Sequence, residues 1–170
     1  MKKKRLELAE IEEADIEFIF SALSDSQLTR YYGVHFSTIE AAKEQMEFYK
    51  MLKETKSGIW WKCQDMKSKK WVGASGFNDW DHNLSTAEIG CWVLPQFWGN
   101  GYGSEIIQET IRSGFEEMSL NSIEGFVDSE NETIKKVLKK FNFEHLNSNL
   151  ETDSKTGKQI SIDHFQLKNN

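Results

Sequence analysis

The sequence has few residues of the kinds that interrupt or crosslink a chain. Among 170 residues there are one proline and two cysteines, and no Pro-rich or Gly/Ser-rich stretch marks a linker. We therefore expect residues 1–170 to form a single domain, long enough to bury a sizeable core. Cys63 and Cys91 lie in predicted strands and form no CxxC motif, which favours small buried side chains over a disulfide.

Long apolar runs and clustered positive charge are lacking as well. No stretch approaches the roughly 20 apolar residues that a membrane-spanning helix needs. The net charge of −6 argues against a broad nucleic-acid-binding surface, and no apolar signal segment follows the basic run at residues 2–5. We expect a cytoplasmic protein that binds neither nucleic acid nor membranes.

The chain does contain enough apolar material for a packed core, with 38% apolar and 12% aromatic residues. Hydrophobic periodicity predicts strands at about 4–11, 59–66, 71–78, 85–94, 122–127, 143–150 and 159–167. Helices are predicted to begin near Ile16, at Ser37, near Gly101 and at Ser129, and each of the two serines opens an S-x-x-E capping box. The resulting order, β-α-α-β-β-β-α-β-α-β-β, predicts an α+β domain with a mixed sheet of about seven strands and four helices.

The segment from Glu88 to Ser104 contains the residues that point most clearly to a binding or catalytic site. It runs from a predicted strand, through glycines at 99, 101 and 103, into a predicted helix. Glycine lets the backbone approach a bulky anion without interference from Cβ, and a helix N-terminus offers free N–H groups and the positive end of its dipole. The segment therefore predicts a phosphate-binding turn that follows an acidic strand residue.

Three phosphate-binding motifs compete for this turn. A dinucleotide fingerprint, G-x-G-x-x-G, would need glycine where the chain has Ser104. A Walker A loop would need a lysine that the turn lacks. The pattern that fits is Gln96-x-x-Gly99-x-Gly101, placed between a strand and a helix.

This combination resembles the GNAT N-acetyltransferase family, and within it most resembles the branch of ribosomal-protein N-acetyltransferases. The residues that carry the likeness are 87–94, 96–103, and Asn131 at the start of the helix that ends in Asn142 and Phe143. The element order matches that family from near residue 5 to near residue 168. The resemblance therefore implies the three-layer GNAT fold for the whole domain.

The resemblance also implies acetyl-CoA as co-substrate, without a metal or a covalent intermediate. The cofactor would bind in a V-shaped split between the fourth and fifth strands, where an N–H near Val93 would polarise the thioester carbonyl. Its pantetheine would pair with the backbone of residues 92–94. The expected cofactor contacts are Trp92, Val93, Leu94, Gln96, Trp98, Gly99, Asn100, Gly101, Tyr102, Gly103, Ser104, Asn131 and Lys136.

Glu88 is the candidate general base, because an amine nucleophile loses a proton on the way to an amide and a carboxylate can accept it. Strand alternation places Glu88, Gly90 and Trp92 on one face of the sheet. Gly90 would leave room beside Glu88 for a substrate. The alternative interpretation is an acidic residue on a solvated sheet face that pairs with a lysine.

The helix that follows Asn131 both supports the resemblance and departs from it. Asn131 matches the family's cofactor-contacting asparagine, although asparagine is also common at helix starts. A serine of the closest branch is Ile134 here, and a tyrosine of other branches is Leu138. The general acid is therefore absent from both usual positions. Lys136 belongs to a basic stripe that is either a solvated face or a contact to cofactor phosphates.

The acceptor is expected to be the amine of a protein N-terminus or of a small molecule, since the acidic balance of the chain suits a cationic partner. Tyr31, Tyr32 and Phe36, in an aromatic loop between helices, are the expected acceptor contacts. The resemblance implies direct transfer in a ternary complex. The alternative is a CoA-binding sensing or regulatory module with little catalysis, which the apolar Ile134 and Leu138 favour.

Two further expectations concern metals and assembly. The acidic run at 79–83 lacks the glycine and the glutamate of an EF-hand, and the histidines show no ligand spacing, so no metal is expected. Members of the GNAT family are often dimers, and an exposed hairpin or edge strand would suit a homodimer contact.

Overall fold

A seven-stranded mixed sheet organises the chain. The computed structural model describes residues 5–170, so residues 2–4 of the basic run and the start of the first predicted strand lie outside the described residues. The spatial order of the strands is β1-β2-β3-β4-β5-β7-β6, and all neighbours are antiparallel except β4 and β5. The strands are β1 (Leu6–Glu10), β2 (Ile59–Asp65), β3 (Trp71–Asp81), β4 (Thr86–Val93), β5 (Ser122–Asp128), β6 (Glu144–Thr152) and β7 (Gln159–Lys168).

Helices cover both faces of this sheet. They are α1 (Ile16–Leu23), α2 (Ile39–Glu54), α3 (Tyr102–Glu116) and α4 (Glu132–Lys140). Helices α1 and α2 pack on the face that carries Trp60 and Trp92, whereas α3 and α4 pack on the face that carries Phe77 and Ile89. The predicted element order, the mixed sheet and the three layers are therefore confirmed. Within residues 5–170, no helix has both the length and the apolar composition needed to cross a bilayer.

The start of α2 differs from the prediction by one residue. The capping residue is Thr38, not Ser37, because the Thr38 hydroxyl accepts a hydrogen bond from the backbone N–H of Ala41 at 3.1 Å. Serine and threonine are both good caps. The sequence motif therefore predicted the helix correctly but not its first residue.

The start of α4 also differs, for a tertiary reason. Ser129 does not cap the helix, because its hydroxyl donates to Asp163 of β7 at 2.7 Å. Asn131 takes the capping position, where its side-chain oxygen accepts from the backbone N–H of Ile134 at 3.3 Å. Because Asp163, which is distant in sequence, binds the Ser129 hydroxyl, the predicted capping box at Ser129 does not form.

The two parallel strands at the centre of the sheet separate soon after they meet. Strands β4 and β5 pair only from Thr86 opposite Ser122 to Glu88 opposite Glu124. Beyond Glu88, no strand among residues 5–170 pairs with β4 on that side, which opens the expected V-shaped cleft. Both the glycine-rich turn after β4 and the start of α4 after β5 lie at the open end of this cleft.

Candidate active site

A cavity of about 1210 Å³ occupies the cleft where β4 and β5 diverge. It extends from the connection between α1 and α2 to the glycine-rich turn. Of the residues predicted for the site, its wall contains Tyr31, Tyr32, Glu88, Trp92, Val93, Trp98, Gly99, Gly101, Tyr102, Gly103, Ser104 and Asn131. Five others do not belong to the wall, namely Phe36, Leu94, Gln96, Asn100 and Lys136.

The glycine-rich turn combines a left-handed backbone with an uncapped helix start. Gly99 and Gly101 have φ values of 77° and 79°, a region that favours glycine, and a Cβ at either residue would have no atom within 4 Å among the described residues 5–170, adjacent residues aside. Gly101 is the capping residue of α3 and provides no side-chain acceptor. The N–H groups of the first turn of α3 therefore face the cavity without an intrahelical acceptor, an arrangement that fits a pyrophosphate.

Two predicted contact residues instead shape the turn. The Asn100 side chain donates to the carbonyls of Phe97 and Trp98 at 3.1 and 3.0 Å. The indole N–H of Trp98 donates to the carbonyl of Val93 at 2.7 Å. These bonds attach the turn to the end of β4 and hold it open toward the cavity.

The backbone at the end of β4 offers the Val93 N–H to the cleft. The Leu94 N–H donates to Val72 at 2.9 Å and the Leu94 carbonyl accepts from Phe97 at 2.9 Å, so the backbone of Leu94 already has partners within the protein, and its pairing with the cofactor stays a prediction. Because N–H groups alternate in direction along a strand, the Val93 N–H points away from β3 and into the cleft. Val93 is therefore the residue that can donate to a ligand beside β4.

Glu88 lies half-buried in the cavity wall at the point where the two parallel strands separate. Burial, together with the smaller effect of the negative charges of Asp79 and Glu151, raises the pKa of Glu88 to about 7. A carboxyl group with a pKa near neutrality is matched to proton transfer at physiological pH. The wall also contains Cys91, but burial raises the pKa of this thiol to about 12, which keeps it protonated and unsuited to nucleophilic attack.

The space above Gly90 has a different occupant from the one predicted. A Cβ at Gly90 would lie 2.6 Å from the indole of Trp60, so the glycine makes room for that ring and not for a substrate. The Trp60 N–H donates to the side chain of Asn78 at 2.8 Å. Trp60 thus forms the wall of the cavity next to Glu88.

The connection between α1 and α2, part of which lines the cavity, makes a contact that the sequence did not reveal. The tip of the β6–β7 hairpin reaches back to the connection between α1 and α2. There the Ser154 hydroxyl donates to the carbonyl of Gly33 at 3.0 Å and the Lys155 ammonium donates to the carbonyl of Thr29 at 2.5 Å. These residues are more than a hundred positions apart, and no local pattern predicts such a pair.

Aromatic side chains form much of the wall at this end. Tyr31 and Tyr32 lie in it as predicted, and burial raises the pKa of Tyr32 well above its usual value. Phe36 instead packs against the core cluster beneath α1 and α2. Sequence reasoning missed further lining residues, namely Arg30, Gln45, Phe48, Tyr49, Phe97 and Phe126. The helical spacing of residues 45, 48 and 49 was the available signal for the α2 members.

With this geometry in place, relatives can be compared. Residues 5–144 match the family described as acetyltransferase (GNAT) domain. The chain belongs to this family. It is 32% identical over 145 residues to the uncharacterized N-acetyltransferase YoaA of Bacillus subtilis (strain 168), an alignment that covers 85% of this chain and 82% of that protein. It is also 27% identical over 165 residues to the uncharacterized N-acetyltransferase p20 of Bacillus licheniformis, covering 96% and 93% of the two chains.

Solved structures show the same fold in this GNAT protein. The spermidine N-acetyltransferase of Vibrio cholerae, solved with CoA and spermine, superposes with a TM-score of 0.86 at 17% identity over 98% of this chain and 96% of that chain. A GNAT-family acetyltransferase of Bacillus anthracis gives 0.83 at 22% identity, over 99% and 97%. The chain is therefore an N-acetyltransferase that uses acetyl-CoA to acetylate an amine. The narrower likeness to the ribosomal-protein branch stays a prediction.

The start of α4 contributes Asn131, Thr133 and Ile134 to the cavity wall. Asn131 uses its side-chain oxygen as a helix cap, which leaves its amide N–H groups available to the cavity. Leu138 also belongs to the wall, so the two positions at which the resemblance implies a hydroxyl, Ile134 and Leu138, are apolar here. The exposed side chain of Lys136 lies outside the wall, and its contact to the cofactor stays a prediction.

Proposed function

We propose that this GNAT protein acetylates a primary amine of a small cationic molecule, with Glu88 as the general base. The observation that carries the proposal is the position of Glu88 in the same cavity wall as the Val93 N–H and the glycine-rich turn. The turn would bind an anion, the strand would bind an amide or a carbonyl, and the carboxylate would receive a proton. These are the three contacts that acetyl transfer from CoA to an amine requires.

Each residue then has a defined task. Acetyl-CoA supplies an acetyl group activated as a thioester. The amides of the turn at 99–104 bind the pyrophosphate, and the Val93 N–H donates to the thioester carbonyl, where negative charge develops. The acceptor nitrogen bonds to the carbonyl carbon as the carbon–sulfur bond breaks, and Glu88 takes the proton that the nitrogen loses. Since Ile134 and Leu138 offer no hydroxyl, we propose that solvent protonates the departing thiolate.

The charges near Glu88 favour a cationic amine as the acceptor. The charged groups that act on Glu88 are the carboxylates of Asp79 and Glu151, so this region attracts a cation. The Vibrio cholerae relative, which is named for spermidine, is consistent with an acceptor of this class.

An amine panel with a thiol-release readout tests the proposal. We expect CoA release with diamines or polyamines, little with short peptides that have a free N-terminus, and none with acetylated controls. If peptides are the better acceptors, the enzyme is a protein N-terminal acetyltransferase and the small-amine proposal is wrong. If CoA binds tightly and no amine releases thiol, the alternative of a CoA-sensing module replaces catalysis.

The homodimer expectation also stays a prediction, and β6 is the surface to test. Every residue of this edge strand is exposed, including Leu146 and Leu150. Long exposed edge strands are usually covered or blocked. Size-exclusion chromatography with light scattering, on the native chain and on Leu150→Lys, would show whether the strand pairs two copies.

A further inference from the structure

The side of the cleft formed by β5 depends on β7 for its position. Within residues 5–170, β7 is the only strand that pairs with β5 beyond Glu124, and this pairing continues to Asp128 opposite Ile162. Asp128 and Asn131, at the connection between β5 and α4, lie in the cavity wall. The placement of this part of the wall is therefore set by whatever attaches the β5–α4 connection to β7.

Ser129, the first residue after β5, makes that attachment with each of its polar groups. Its backbone N–H donates to the carbonyl of Ser161 at 2.8 Å, and its carbonyl accepts from the Lys135 ammonium at 2.8 Å. Its hydroxyl donates to Asp163 at 2.7 Å. None of these three partners belongs to the cavity wall. One residue thus joins the connection both to β7 and to α4, from outside the cavity.

Asp163 is the charged centre of this attachment, and the residue is only 7% exposed. Ser148 of β6 donates to the same carboxyl oxygen as Ser129, at 2.6 Å, and the Lys135 ammonium lies 3.4 Å from the other oxygen. Burial alone would raise the pKa of Asp163, but the hydrogen bonds from Ser148, Ser129 and Lys135 lower it below its usual value. The group is therefore a carboxylate with partners on both oxygens.

We propose that Asp163 is a positioning residue for CoA binding, which holds the β5–α4 connection so that the side-chain amide of Asn131 meets the cofactor. Asn131 lies two residues after Ser129. Its backbone N–H donates to the carbonyl of Asp128 at 2.9 Å, and its side-chain oxygen caps α4. A displacement of Ser129 therefore displaces Asn131. The inference uses the predicted cofactor contact of Asn131 and depends neither on the acceptor nor on Glu88.

The chain provides a matched pair of variants, because two serines donate to one oxygen of Asp163 at nearly equal distances. Ser129→Ala removes the hydroxyl on the β5–α4 connection, whereas Ser148→Ala removes the hydroxyl on β6. Isothermal titration calorimetry gives the Kd for CoA, and thermal melting confirms that each variant folds. We expect the Kd to rise roughly three- to tenfold in Ser129→Ala and to keep its native value in Ser148→Ala.

Two further variants connect Asp163 to Asn131. Asp163→Asn should raise the Kd for CoA at least as much as Ser129→Ala; if it does not fold, Ser129→Ala carries the test alone. Asn131→Ser keeps a capping oxygen but lacks the amide, so it should also weaken CoA binding. A positioning residue acts through the residue that it positions. The double variant of Ser129→Ala and Asn131→Ser should therefore raise the Kd by less than the product of the two single effects.

Kinetics separate positioning from general support of the fold. With any amine that is acetylated, Ser129→Ala should raise the KM for acetyl-CoA and leave kcat and the KM for the amine near their native values. Equal Kd values for Ser129→Ala and Ser148→Ala overturn the inference, since the carboxylate would then act on the fold alone. A native Kd in Asn131→Ser overturns it as well. Because CoA binding needs no acceptor, a chain that shows the expected Kd changes but acetylates no amine refutes the proposed function and supports this inference.

Discussion

The guanidinium of Arg5 donates a hydrogen bond to the backbone carbonyl of Asn100 at 3.0 Å, across 95 positions of sequence. Arg5 also pairs with Glu105 in the first turn of α3 at 2.9 Å and lies 3.9 Å from the ring centre of Tyr102. One side chain at the start of β1 thus holds both the glycine-rich turn and the helix behind it. No element near Arg5 in sequence belongs to the site, so sequence analysis missed this contact.

Arg5→Ala should therefore weaken CoA binding. Loss of hydrogen bonds from a charged donor costs about 1.5–3 kcal/mol, and we expect a roughly tenfold rise in the Kd for CoA because the turn becomes less ordered. Isothermal titration calorimetry measures this directly. Arg112→Ala is the control, since Arg112 makes ion pairs only near the far end of α3. Equal Kd values for the native chain and Arg5→Ala would show that the turn holds its shape without Arg5.

The left-handed turn gives a second prediction. Gly101→Ala should lower the free energy of unfolding by about 1–2 kcal/mol, because an L-residue is strained at a φ of 79° even though the space is open. Gly101→Asn should cost less. Gly33→Ala, at another open position without a left-handed φ, should be nearly neutral or slightly stabilising. Denaturant unfolding of the three variants measures these free energies. Equal free energies of unfolding for Gly101→Ala and Gly33→Ala would contradict the prediction.

The raised pKa of Glu88 predicts a pH-dependent stability. Folding raises this pKa from 4.5 to about 7, so the folded state binds the proton more tightly than the unfolded state. The stabilising contribution is complete below about pH 4.5 and is lost as pH rises through about 7. Glu88→Gln should thus gain stability relative to the native chain at pH 8 and not at pH 4.5. If the free energies of unfolding of Glu88→Gln and the native chain differ by the same amount at both pH values, the raised pKa of Glu88 is contradicted.

The hairpin contact predicts a change in acceptor affinity alone. Lys155→Met removes the hydrogen bond to the carbonyl of Thr29, which should loosen the connection between α1 and α2, where Tyr31 and Tyr32 line the cavity, and raise the KM for the amine by roughly tenfold or less. The Kd for CoA should not change, because the glycine-rich turn lies at the other end of the cavity. Lys158→Met, on the same hairpin, is the matched control. A parallel change in CoA affinity would mean that the hairpin supports the whole fold.

The order of the elements and the face of each strand were predictable from sequence, because both depend on local periodicity. The alternation that places Trp92 against α1 and Ile89 against α3 is confirmed. The phosphate-binding turn was also predictable, since glycine and an uncapped helix start are local features. The cavity lies where the parallel strands β4 and β5 separate.

What could not be predicted depends on contacts between distant residues. Ser129 matched a capping box, yet Asp163 of β7 takes its hydroxyl. Gly90 was expected to leave room for a substrate, yet a tryptophan from the neighbouring region of the sheet fills that space. Asp79 was expected to lie outside the strand predicted at 71–78, because the bulge through which β3 continues to Asp81 arises from strand register, which no local pattern encodes.

The most direct test of the account is the rate of acetyl transfer by Glu88→Gln at saturating acetyl-CoA, measured beside its Kd for CoA. Glutamine keeps the shape of the side chain but cannot accept the proton of the amine. We predict that kcat falls by about 10²–10⁴ while the Kd for CoA is unchanged. If Glu88→Gln retains the native rate and the native pH profile, Glu88 is not the base and the proposed mechanism is wrong.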